Sequence, residues 1–183
     1  RMLVADLGLS CGFARKQTLF LAGKAYGRRA LQEEAEARRA AGIAADYLDA
    51  ATLAERFSIA RTGAILSNVS AAANPAQLAA GILRAAMTRG VELVSPLQIT
   101  DLRSTADAAF LATAEGRIVS ARHAVFCSGY EFLKAVADEN HAIVSTWALA
   151  TPPGTTLPDW LKTCIVWEGA DPYLYLRRTR DGR

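Results

Sequence analysis

Residues 74–130 decide how this chain is read: NPAQLAAGILRAAMTRG (74–90), VELV (91–94), LQITDL (97–102), a strand pair around Glu115-Gly116, and HAVFCSGY (123–130). Asn74-Pro75 is a helix start, since Asn caps free backbone N–H groups and Pro loses nothing in the first turn. Leu78, Ile82, Leu83 and Ala86 then lie on one face of a helix that ends at Arg89-Gly90. After Gly90 the period shortens to two, which predicts strands at 91–94 and 97–102. Strands over 108–113 and 117–121 flank Glu115-Gly116, where Gly supplies the positive φ of a hairpin. The run HAVFC (123–127) is short and continuously apolar, as in a strand covered on both faces. On that reading Cys127 is an inert core thiol, and Ser128-Gly129 ends the strand before a helix beginning at YEFLKAVA.

Working outward, residues 1–12 read as a helix end and a turn at Gly12, and 13–22 (FARKQTLFLA) as a strand. Residues 26–41 are rich in helix formers, with Gly42 where a helix-ending residue belongs. Asp49 is placed to cap a short helix over AATLAERF, and 62–68 reads as a short strand. Strands are expected again at 142–150, 163–167 and 173–178, separated by Pro/Gly turns. Alternation within the last would put Tyr173, Tyr175 and Arg177 on one side.

Composition narrows the function. Half of the 183 residues are hydrophobic, a fifth are charged, and the net charge is +3, the balance of a globular protein. Arg28, Arg29, Arg38 and Arg39 are interleaved with Glu33, Glu34 and Glu36, a solvated helix face and not the basic stripe of a nucleic-acid binder. Three cysteines, Cys11, Cys127 and Cys164, show no C-x-x-C spacing, which points away from zinc and disulfides and toward a reducing, cytoplasmic setting. No apolar run approaches 18 residues. Neither G-x-G-x-x-G, a P-loop nor G-x-S-x-G occurs. His123 and His141 have no ligand partners at metal spacing, and His123 reads as a strand-boundary residue.

The order of these pieces resembles the second half of the flavin-binding domain in the D-amino-acid oxidase and glycine oxidase family, with its N-P helix, R-G, apolar strand, V-x-x-I strand and final small-residue-plus-glycine element. The flanks resemble that family's substrate domain: 1–73 its insertion, 74–135 the C-terminal part of the FAD-binding domain, and 136–183 further substrate-domain strands. The implied fold is α+β (α/β), an incomplete Rossmann-like FAD-binding domain joined to an antiparallel-sheet substrate domain. The resemblance places Ile99 where a strand backbone pairs with the adenine of FAD. Cys127-Ser128-Gly129 falls on the element whose glycine lets the main chain approach the dinucleotide. DPYLYLRRTRDGR (171–183) resembles the family's Y-x-x-P-R-x-x-G-R strand, with Tyr173 at the substrate-facing tyrosine, Arg177 at the arginine and Leu176 in place of Pro.

The resemblance implies an FAD-dependent enzyme, bacterial by its Arg- and Ala-rich composition, that oxidises a small amine or amino acid by hydride transfer to flavin. Oxidation of a 2-hydroxy acid and a non-catalytic α+β binding module are the alternatives. The family's opening glycine loop and closing segment find no match, so the chain is expected to be an internal fragment that binds FAD weakly or not at all.

Overall fold

The computed structural model describes residues 2–24, 26–129, 133–134, 144–179 and 182. The helix expected from Tyr130, His141 and the start of the strand expected at 142–150 lie outside them. By their contacts, the residues form two compact units, 1–88 with 149–183, and 89–148.

The first unit opens with α1 (Met2–Asp6) and a left-handed turn at Gly12, followed by β1 (Ala14–Leu21). Next come α2 (Arg28–Ala40), β2 (Asp46–Asp49), α3 (Ala50–Phe57), β3 (Gly63–Ala72) and α4 (Pro75–Met87). After the second unit, a 3-10 turn (Asp159–Lys162) leads into the two last strands, Cys164–Glu168 and Tyr175–Leu176. The expected capping is present: the Thr52 N–H donates to Asp49 Oδ1 at 2.8 Å, and the Gln77 N–H to Asn74 Oδ1 at 3.0 Å. Gly42 follows α2 with φ +76°, a left-handed conformation that a side chain would strain.

In the second unit, β4 (Ile99–Ser104), β5 (Ala109–Thr113) and β6 (Ile118–Ala121) form an antiparallel sheet in that order. Gly116 turns the β5–β6 hairpin at φ +80°. Continuing the numbering, the late strands of the first unit are β7 (Cys164–Glu168) and β8 (Tyr175–Leu176).

The five-stranded sheet of the first unit runs β2-β3-β1-β7-β8. It is mixed: β1 and β7 are parallel, from Gln17 opposite Cys164 to Leu21 opposite Glu168, and the other pairs are antiparallel. Helices cover both faces, which is why β1 reads as a nearly unbroken apolar run at its end. One face carries Leu19, Leu48, Leu66 and Val166 against Leu53 and Phe57 of α3. The opposite face carries Phe20, Ala45 and Ile65 against Leu31 and Ala35 of α2. Both helices present their contacts at i and i+4, one stripe each. Burying each of these leucines contributes roughly 1.5–3 kcal/mol.

Several strand expectations are corrected. Residues 91–94 form no strand, and Val91, Leu93 and Val94 are more than half exposed. The run 123–127 is likewise no covered strand: Val125 is 84% exposed, and His123 borders no strand. Cys127 is exposed, contrary to the core thiol expected. Residues 91–94 alternate as a strand would and 123–127 have the apolar composition of a buried one, but among the described residues neither has a pairing strand or a covering layer. Residues 144–150 are also non-strand, with Trp147 and Leu149 almost fully exposed. The strand expected at 173–178 contracts to Tyr175–Leu176. Helix α4 forms as expected but buries no residue, and Ile82, Leu83 and Met87 stay exposed on its apolar face.

Candidate functional site

Ile99 opens β4, an edge strand of the three-stranded sheet. It is half-buried, stands opposite Thr113, and precedes a bulge before Asp101. The inner side of the strand is tied down, for the Ala114 N–H donates to the Gln98 carbonyl at 3.0 Å. On its outer side no strand pairs with β4 among the described residues. An edge of this kind presents backbone N–H and C=O groups to whatever lies beside it.

Cys127, Ser128 and Gly129 belong to the same unit as Ile99 and are exposed. Gly129 has φ +67°, and a β-carbon placed on it would meet nothing within 4 Å. The glycine therefore answers a backbone requirement and leaves open space above the chain.

Tyr173 and Arg177 belong to the other unit, on either side of β8. Tyr173 is 62% exposed and Arg177 is also exposed. Tyr175 lies within β8 and pairs with Trp167 of β7. Following that register inward, Trp167 stands opposite Phe20, Phe20 opposite Ile65, and Ile65 opposite Tyr47. One row of large side chains thus crosses all five strands. The Trp167 ring rests on Phe20, centroids 4.5 Å apart, while Phe20 meets Tyr26 edge-on at 5.4 Å. Trp167 is fixed from below and open above, 38% exposed. Sequence reasoning did not single it out. Its signal was available in the alternation of β7, where Trp167 opposes the direction of buried Val166.

A groove of about 900 Å³ opens at one end of this sheet. Arg61 Nε meets Glu168 Oε1 there at 2.8 Å, a pair joined across 107 positions of sequence. Cys164 is 2% exposed, and burial pushes its thiol up to about 11, so it stays protonated and unreactive. Asp49 is held below the usual carboxylate range, chiefly by the Thr52 backbone N–H. Among the described residues no cluster suited to a metal ion occurs, and no helix is long and apolar enough to cross a membrane.

Comparison with known proteins adds the family. No curated protein matches the chain significantly. Among solved structures, a glycine oxidase from Geobacillus kaustophilus aligns with 66% of this chain and 34% of its own, at 24% identity and a TM-score of 0.55. A glycine oxidase from Bacillus cereus aligns with 66% and 35%, at 18% identity and a TM-score of 0.53. An L-proline dehydrogenase from P. horikoshii aligns with 98% of this chain and 49% of its own, at 14% identity and a TM-score of 0.70. The chain therefore spans about a third to a half of the length of these structures, and at such identities the likeness shows the fold. The sequence also matches the profile "FAD dependent oxidoreductase" (DAO) over residues 1–183. Because that match runs the whole length, the chain belongs to the DAO family of oxidoreductases, whose cofactor is FAD.

Proposed function

We propose that the protein serves the oxidation of an amine or amino acid, holding one end of FAD and one wall of the substrate pocket. The observation that carries this reading is the family match across residues 1–183. The neighbouring folds named glycine oxidase and L-proline dehydrogenase support the amino-acid class. Residues 74–135 belong to cofactor binding in this reading, and 1–73 with 136–183 to the substrate side. The setting is the bacterial cytoplasm.

The residues present suit the adenine end of the cofactor. The outer edge of β4 at Ile99, unpaired among the described residues, offers backbone donors and acceptors, which match a ring carrying both. The open, left-handed Gly129, with small Cys127 and Ser128 before it, admits close approach of the main chain. Bound FAD supplies a two-electron acceptor for the hydride leaving the carbon that bears the amine. The imine left behind hydrolyses to a carbonyl compound and ammonia or an amine. Tyr173 donates a phenolic hydrogen bond to the substrate or a pocket water, and Arg177 adds a cation to the same wall. No base is required of the chain if the amine enters neutral.

The test is anaerobic reduction of the flavin in the full-length protein. Amino acids or amines are expected to bleach the flavin absorbance. Bleaching by 2-hydroxy acids alone would overturn the proposal.

A further inference from the structure

The groove at the end of the five-stranded sheet is built by three loops that the fold pins together. Residues 22–24 leave β1, 60–62 enter β3, and 168–172 leave β7. Backbone hydrogen bonds fasten them, from the Ala22 N–H to the Gly63 carbonyl at 3.0 Å and from the Gly169 N–H to the Leu21 carbonyl at 3.1 Å. Gly23 of the lining packs so closely on the Gly169 main chain that a β-carbon there would collide with the Gly169 carbonyl. Small residues, Ala50 and Ala54 of α3 among them, line one wall and keep about 900 Å³ open.

Four charged residues line this groove: Lys24, Arg61, Glu168 and Asp171. Arg61 and Glu168 neutralise each other at 2.8 Å, with Glu168 only 14% exposed. That leaves the Lys24 ammonium and the Asp171 carboxylate, both exposed and in no ion pair among the described residues. A groove with one spare charge of each sign and an alanine-lined wall suits a ligand carrying both charges on an aliphatic body.

We propose that the groove bounded by Lys24, Arg61, Glu168 and Asp171 binds an aliphatic amino-acid zwitterion, its carboxylate toward Lys24 and its ammonium toward Asp171. Binding here does not rest on the oxidation reading, and the two fail separately. The experiment is ligand-observed saturation-transfer NMR on the full-length protein in anaerobic buffer. L-leucine is the probe; isocaproate and isoamylamine each keep its alkyl chain and one charge. L-leucine is expected to bind more tightly than either, and Lys24→Met and Asp171→Asn each to weaken it roughly tenfold. Both substitutions are on exposed side chains, and thermal melting checks that the fold is kept. Equal binding of isocaproate, no binding of L-leucine, or binding unchanged in both variants would each overturn the site. In the last case, the flavin-reduction experiment shows whether the amino acid sits at the flavin instead.

Discussion

Gly23 and Gly169 lie against each other, so that a β-carbon on Gly23 would collide with the Gly169 carbonyl and come within 2.7 Å of Ala170 Cβ. The second glycine is equally confined, for its own β-carbon would stand 2.6 Å from Tyr26 Cδ2 and 2.8 Å from Phe20 Cζ. Both obstacles belong to the backbone or the core, and neither swings aside cheaply. Gly23→Ala is therefore expected to destabilise the first unit by about 1–3 kcal/mol, measured by urea unfolding. An unchanged midpoint would show that the two loops are not held together.

Leu53 and Ile82 test which apolar faces are covered. Leu53 is fully buried beneath the sheet, and Leu53→Ala is expected to cost about 2–5 kcal/mol. Ile82 on α4 is 37% exposed, so Ile82→Ala in the 183-residue chain should cost under about 1 kcal/mol. A markedly larger loss would reveal a layer lying over α4.

Asp49 makes the first unit sensitive to acid. Its folded pKa is lowered, with the Thr52 N–H the largest cause. The contribution to stability is thus complete above the unfolded value and lost as pH falls through the folded one. Asp49→Asn keeps a capping oxygen but cannot titrate there. The variant's thermal midpoint is expected to vary less with pH below about 4, the region of the aspartate reference value. Parallel curves for the two proteins would count against the cap.

On the proposed function, substitutions at Gly129 and Tyr173 are expected to separate cofactor binding from turnover. Gly129→Ala forces a side chain into φ +67° and is expected to weaken FAD retention, read by flavin fluorescence after dialysis. Tyr173→Phe removes one hydroxyl, and about 1 kcal/mol of lost hydrogen bonding corresponds to a roughly five- to tenfold fall in kcat/KM. Flavin content should stay at the parent level in that variant. Loss of FAD from Tyr173→Phe with none from Gly129→Ala would reverse the two assignments.

What could be read from the chain beforehand was local. Asn74-Pro75, Asp49, Gly42 and Gly116 each encode a cap or turn within a few residues, and all four behave as their chemistry dictates. Residues 91–94 and 123–127 form no strands because alternation and apolar composition report only a tendency to be covered, while strand formation needs a partner to supply hydrogen bonds. β2 escaped notice because DYLD (46–49) is short and acidic at both ends; its pairing with β3 makes it a strand. At the candidate site, Ile99 and Gly129 were singled out by the family resemblance, and the structure places the first on an edge strand and gives the second a positive φ. The row from Tyr47 to Tyr175 and the Arg61–Glu168 pair were not, since both depend on β7 lying parallel to β1.

That parallel pairing also orders the birth of the fold. β1 leaves a ribosome well before β7, so the three strands β1, β3 and β2 with their two helices have time to settle first. Until Cys164–Glu168 arrives, one side of β1 stands as a raw edge able to recruit a stranger's strand. Contacts so distant along the chain close slowly, and nascent protein halted before residue 164 should be the species most prone to aggregate and most in need of a chaperone.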